Sequence, residues 1–180
     1  ELHCDAPSIS LALRAALRQS PKVIVIGETR DRETMEIVLE AAETGHLVLT
    51  SMNTLDTSKT VARIVGAFPP SEQRTVRTRL AKSFRYIISQ RLIPRADGSG
   101  RVPVVEILRG TPQTRERLET GDRDGKTLLD CIKAAGADGM QHLDAEIEKL
   151  VRTGIIDADT ALTYATSPSQ LRQVLKDCRL

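Results

Sequence analysis

The chain has 180 residues, 40% hydrophobic, 28% charged and 2% aromatic, with no tryptophan and a net charge of +2. That is apolar mass for one good core, or one core plus a small appendage. It excludes a membrane span, since no apolar run approaches the roughly 20 residues a bilayer requires, and a base-stacking platform for single strands, which needs aromatic side chains.

In chain order, Ser8 or Ser10 is placed to cap a helix through Ala12, Leu13, Ala16 and Leu17, closed by Ser20-Pro21. Val23-Ile24-Val25-Ile26 follows as a strand. Its unbroken, mostly β-branched run predicts burial on both faces, as in a parallel sheet. Asp31 is the predicted N-cap of a helix over 32–44, with Met35, Val38, Leu39 and Ala42 on one stripe and Gly45 as its stop. Residues 46–51 form a second short strand. Strand, helix and strand with short joints make a βαβ unit, so the two strands should run parallel.

A helix capped by Asp56 or Thr57 runs through Val61, Ile64 and Val65 to Pro69-Pro70, and Ser71 is expected to cap the next one. Residues 89–93 and 101–108, joined by the turn 96–100, predict an antiparallel hairpin at the sheet edge. Thr111 is a predicted N-cap with Pro112 at the first helical position. Beyond it only helices are read, one of them carrying Met140, Leu143, Ile147, Leu150 and Val151. The expected organisation is α/β over 1–109 and a helical subdomain over 110–180.

Charge is uneven: residues 71–101 hold eight basic and two acidic side chains. This block offers a face for an anion, an acidic partner or duplex nucleic acid, or else a solvated helix face. Cys4, Cys131 and Cys178 are odd in number and form no Cys-x-x-Cys pair, which predicts reduced thiols in a cytoplasm. Asp122-Arg123-Asp124-Gly125 hints at a calcium loop, but Lys133 stands where its closing glutamate belongs, so a turn is predicted. His3 beside Cys4 has no second ligand pair spaced to complete a metal site. The chain opens on Glu1 and is expected to be a piece of a longer polypeptide.

The chemistry concentrates at Gly27-Glu28. A carboxylate at the carboxyl end of a parallel strand stands where open α/β sheets bind ligands. In nucleotide-hydrolysing folds it is the Walker B position, which helps hold magnesium or its waters. Decoration of a strand-to-helix turn is the alternative. Around the second strand, His46, Asn53 and Thr54 offer hydrogen bonds to a terminal phosphate or attacking water; a joint histidine and a turn asparagine are their plainer readings.

Together, Gly27-Glu28-Thr29-Arg30-Asp31, Ala41-Ala42-Glu43-Thr44-Gly45-His46-Leu47-Val48 and Lys59-Thr60-Val61-Ala62-Arg63-Ile64-Val65 resemble motor domains of type IV pilus and type II secretion ATPases. Phe68-Pro69, Val76-Arg77, Ser89-Gln90-Arg91-Leu92 and Gly139-Met140-Gln141-His142-Leu143-Asp144 resemble the pilus-retraction, PilT-like branch. The resemblance implies a RecA-like P-loop NTPase core forming a homo-hexamer, with ATP and Mg2+ as cofactors. It also implies pilus retraction against an inner-membrane platform protein and a cytoplasmic place at that membrane; nucleic-acid binding through the basic block 74–101 is the weakest of the readings. It implies Glu28, His46 and Asn53 as catalytic, Gly27, Glu28 and Arg63 at the nucleotide, and Glu28 at the metal through water.

Three departures accompany it. No Gly-x-x-x-x-Gly-Lys-Ser/Thr occurs in these residues, and the family's acidic box is missing too, so the chain alone is expected to hydrolyse no ATP. Asn53 stands for the second histidine of the family's histidine box, and an amide does not titrate near neutrality. Of the retraction-associated motif, placed on 113–118, only Arg115 matches. These leave a non-catalytic or regulatory pseudo-ATPase subunit as the alternative. Both readings expect Glu28 and His46 to face one bound anion.

Overall fold

In the computed structural model of the chain, residues 4–121, 127–135 and 139–177 are described. The helix α1 (Ile9–Leu17) is capped by Ser8, whose hydroxyl accepts from the Leu11 amide. Then come β1 (Val23–Ile26), α2 (Arg32–Glu43) and β2 (Leu47–Thr50). The two strands pair in parallel, Val23 opposite Leu47 and Ile26 opposite Thr50, so the βαβ unit is as its pattern predicts.

Helix α3 (Thr57–Gly66) is capped by Asp56, which accepts from the Lys59 amide. Helix α4 (Pro70–Ser83) begins at Pro69-Pro70 with no side-chain cap, so Ser71 does not cap it. Proline at the first helical position gives up an amide that would be unpaired anyway. Strands β3 (Tyr86–Pro94) and β4 (Arg101–Arg109) form the antiparallel hairpin, with Ser89 opposite Glu106. Five helices follow among the described residues: α5 (Pro112–Thr120), α6 (Leu128–Ala134), α7 (Leu143–Arg152), α8 (Ala158–Tyr164) and α9 (Pro168–Asp177). Thr111 and Pro112 open α5 as predicted. Residues 122–125 and His3 lie outside the described residues, and with them the calcium-loop reading and half of the His3–Cys4 pair.

Packing corrects three expectations. First, β1 is buried on one face only. Ile24 and Ile26 pack with Leu13, Ile37 and Ala41, whereas Val25 is 73% exposed and Leu49 50%. Among the described residues, α1 and α2 cover one side of the parallel pair and nothing covers the other. Second, the hairpin is a separate two-stranded sheet and does not extend the β1–β2 sheet.

Third, α2 buries two faces where a single stripe was expected. Ile37 and Ala41 join the β1 cluster, while Met35 and Leu39 join the large central one. The large central cluster continues past residues 109–111. Leu118 of α5 and Leu128 and Ile132 of α6 pack in the same cluster as Val65, Phe68, Val76 and Leu80. Only α7, α8 and α9 form a further cluster, around Leu143, Ile147, Ile156 and Leu171, and it takes in Ile93 and Val104 of the hairpin. Short helices of seven to ten residues have little stability of their own and take it from such shared burial. Arg79 of α4 reaches across to Glu36 and Glu43, fastening α2 to α4.

Candidate functional site

The carboxyl ends of β1 and β2 are fastened to each other. The Thr29 amide donates to the Ser51 carbonyl at 3.0 Å. The Thr29 and Thr50 hydroxyls stand 2.7 Å apart, and the Ser51 hydroxyl donates to the Gly27 carbonyl. Glu28 therefore projects from a turn clamped on both sides. Its neighbour Asp31 is not a second free acid: its carboxylate accepts from the Thr34 amide and hydroxyl at 2.8 Å each, capping α2. Those bonds, the Thr34 amide foremost, hold its carboxyl below the usual range.

Glu28 is held ionised by a local partner. Arg30 donates to Oε2 at 2.6 Å, and this bond leads the causes that lower the Glu28 carboxyl below its ordinary value, with the charge of Arg63 adding to it. Arg63, on α3, also donates to the Asn53 backbone carbonyl at 3.3 Å. The Ser51 hydroxyl, the Asn53 backbone and the Arg63 guanidinium thus lie around the strand end that carries Glu28, a carboxylate within the field of a cation. Gly27 is exposed, with open space beside its α-carbon.

His46 is not among them, and the convergence with Glu28 expected above does not occur. It stands before β2, where the Leu47 amide donates to the Lys22 carbonyl at the starting ends of both strands. Its Nδ1–H donates to the Ala41 carbonyl at 3.0 Å, beside the Thr44 hydroxyl at 3.1 Å, closing the last turn of α2. In a parallel pair, the residue before one strand lies at the opposite pole from the residue after its neighbour. The four residues of β2 put roughly 13 Å between those poles, at about 3.3 Å per residue.

The basic block is largely spent inside the chain. Arg77 donates to the Leu118 carbonyl, Arg91 to the Leu55 and Tyr164 carbonyls, Arg95 to Asp97 and Ser99, and Arg101 to the Leu92 carbonyl. Sequence reading passed over Glu106, which is 1% exposed. Its signal was a lone carboxylate within the apolar run Val104-Val105-Glu106-Ile107-Leu108. Among the described residues no cluster of three or more metal-ligating side chains occurs, and no helix is long and apolar enough to cross a membrane.

The chain resembles proteins of known role. It is 41% identical over 170 residues to a type IV pilus retractation ATPase, PilT, of Pseudomonas aeruginosa, covering 93% of this chain and 48% of that protein. A twitching motility protein of Neisseria gonorrhoeae is 43% identical over 173 residues, 95% of this chain and 45% of its own length. A crystal structure of the pilus retraction motor PilT with bound ADP superposes with a TM-score of 0.81 at 36% identity, over 95% of this chain and 47% of that one. The chain thus spans about half the length of the relatives it matches. The α/β arrangement is the one those structures share. Residues 6–160 match the model of the type II/IV secretion system protein family, and the chain belongs to that family.

Proposed function

We propose that the chain works as part of an ATP-hydrolysing, homo-hexameric motor that withdraws a type IV pilus, held in the cytoplasm against an inner-membrane platform protein. The observation that carries this reading is the clamped strand end, where Ser51 bonds to the Gly27 carbonyl beside Glu28 and Arg63, bonded to the Asn53 backbone, helps hold the Glu28 carboxyl in its charged form. Relatives named as pilus retraction and twitching proteins support the direction of force.

The residues present fit one side of a magnesium nucleotide. A carboxylate held in its charged form and neighbouring hydroxyl oxygens are the hard donors that Mg2+ and its waters accept. Bound there, the metal nucleotide would supply the phosphoryl group and the charge that neutralises it. Glu28, within the pull of Arg63, would hold the metal through its waters. Arg63 offers positive charge toward the phosphates, and the Asn53 amide offers a neutral hydrogen bond to an oxygen that gains charge. His46, at the other pole, takes no part and serves as the closing bond of α2. A phosphate-cradling glycine loop followed by lysine is absent from these residues, so ATP turnover belongs to the full-length polypeptide.

The test is ATP turnover and nucleotide affinity of the full-length protein and its Glu28→Gln variant. The variant is expected to lose roughly 100-fold or more in turnover while holding nucleotide. Turnover near the parent's removes Glu28 from the chemistry. A parent that binds ATP and turns over none returns the non-catalytic reading, for which Asn53 is the motive.

A further inference from the structure

The segment between β2 and α3 carries Ser51 and Asn53; Ser51 bonds to the Glu28 end, while the far end of the segment, at Thr57, is anchored on the hairpin. Glu106 of β4 is 1% exposed, and its Oε1 accepts from the Thr57 amide at 2.9 Å and the Thr57 hydroxyl at 2.7 Å. Thr57 is wholly buried and is the first residue of α3. The other carboxylate oxygen, Oε2, is buried and accepts nothing among the described residues. Next door on β3, Arg91 donates to the Leu55 carbonyl at 3.3 Å and to the Tyr164 carbonyl, at the end of α8, at 2.6 Å.

Burying a carboxylate for two bonds and leaving one oxygen bare is costly for a fold that needed only a helix cap. Asp56 already caps α3. The added carboxylate does something the cap does not: it ties the start of α3 to a separate sheet. We infer that Glu106 is a positioning residue, holding the segment 51–57 in register with the Glu28 strand end, with Arg91 passing that register to the helices beyond 142. This inference rests on the function proposed above, because the segment matters only if its Ser51 and Asn53 face the nucleotide.

Two measurements on the full-length protein test it. Amide hydrogen exchange of a peptide spanning 51–57 is expected to quicken about tenfold or more in Glu106→Ala and to return toward the parent rate in Glu106→Gln, which keeps an acceptor oxygen for Thr57. Well below the melting temperature, Glu106→Ala is expected to lose about tenfold or more in turnover per folded molecule, with nucleotide affinity within about threefold of the parent. Glu106→Gln should recover most of it. Thr57→Val, which deletes one of the two donors and keeps the shape, should fall between them. Unchanged exchange over 51–57 in Glu106→Ala overturns the inference, and so does parental turnover in molecules that remain folded. Quickened exchange in Glu106→Ala, beside a parent that hydrolyses no ATP, overturns the proposed function and leaves the anchoring role of Glu106 standing.

Discussion

Arg63 holds Asn53 by its backbone: the guanidinium donates to the Asn53 carbonyl at 3.3 Å, and the amide side chain takes no part in that bond. The placement of Asn53 and the chemistry of its side chain are thereby separable. Replacing Asn53 with alanine is expected to change stability by no more than about 0.5 kcal/mol, measured by urea unfolding. If the amide meets a phosphate oxygen, the full-length Asn53→Ala protein loses turnover regardless. A large loss of stability would instead make Asn53 a turn-forming residue.

The same separation applies to the two faces of the parallel pair. Ile37 is wholly buried against Ile24 and Ile26, whereas Val25 stands on the bare side. Ile37→Ala should cost about 2–5 kcal/mol in this chain and Val25→Thr no more than about 0.5 kcal/mol. Equal costs in denaturant titrations would mean that both faces are covered in solution.

Arg115 is the residue of 113–118 that matches the retraction motif, and in the structure it closes α4. Its guanidinium donates to the carbonyls of Ala81, Lys82 and Phe84 and stands over the Phe84 ring, 5.4 Å from its centre. Gly110 leaves room for it, since a Cβ there would come within 2.9 Å of the guanidinium. Arg115→Met is expected to cost about 2–3 kcal/mol, and lysine to restore only part of it, because one ammonium does not span three carbonyls. Full rescue by lysine in thermal melts would reduce the fork to a simple charge.

His142 makes stability depend on pH. Burial first, with the charge of Lys133 adding to it, pushes its imidazole below the ordinary value of 6.5 against the opposing charges of Asp144 and Glu106, and its Nε2 is buried with no partner among the described residues. The folded form therefore binds the proton less readily than the unfolded form. This contribution is fully present above the ordinary histidine range and is lost as pH falls from 6.5 through the lowered value. The urea midpoint should drop over that window, and His142→Gln should flatten the drop. A midpoint independent of pH in the parent would show that the imidazole is solvated.

Local chemistry in the sequence determined much of this protein. Asp31, Asp56 and Thr111 announce their helices because a cap bonds only two or three residues onward. The hydrophobic run of β1 and its place before a helix mark out Glu28, and the resemblance of residues 27–65 to pilus motors agrees with the family match. What the sequence did not reveal depends on which elements meet. His46 and Glu28 flank adjacent strands, but parallel pairing sends them to opposite poles. Among the described residues helices cover β1 on one side only, which no run of valines and isoleucines records. Thr57 and Glu106 are 49 positions apart, and α5 shares its core with α4 across the expected boundary. Periodicity and capping act within a few residues and are written along the chain. Contacts between distant residues depend on how the helices and strands pack, and that packing alone joins Thr57 to Glu106.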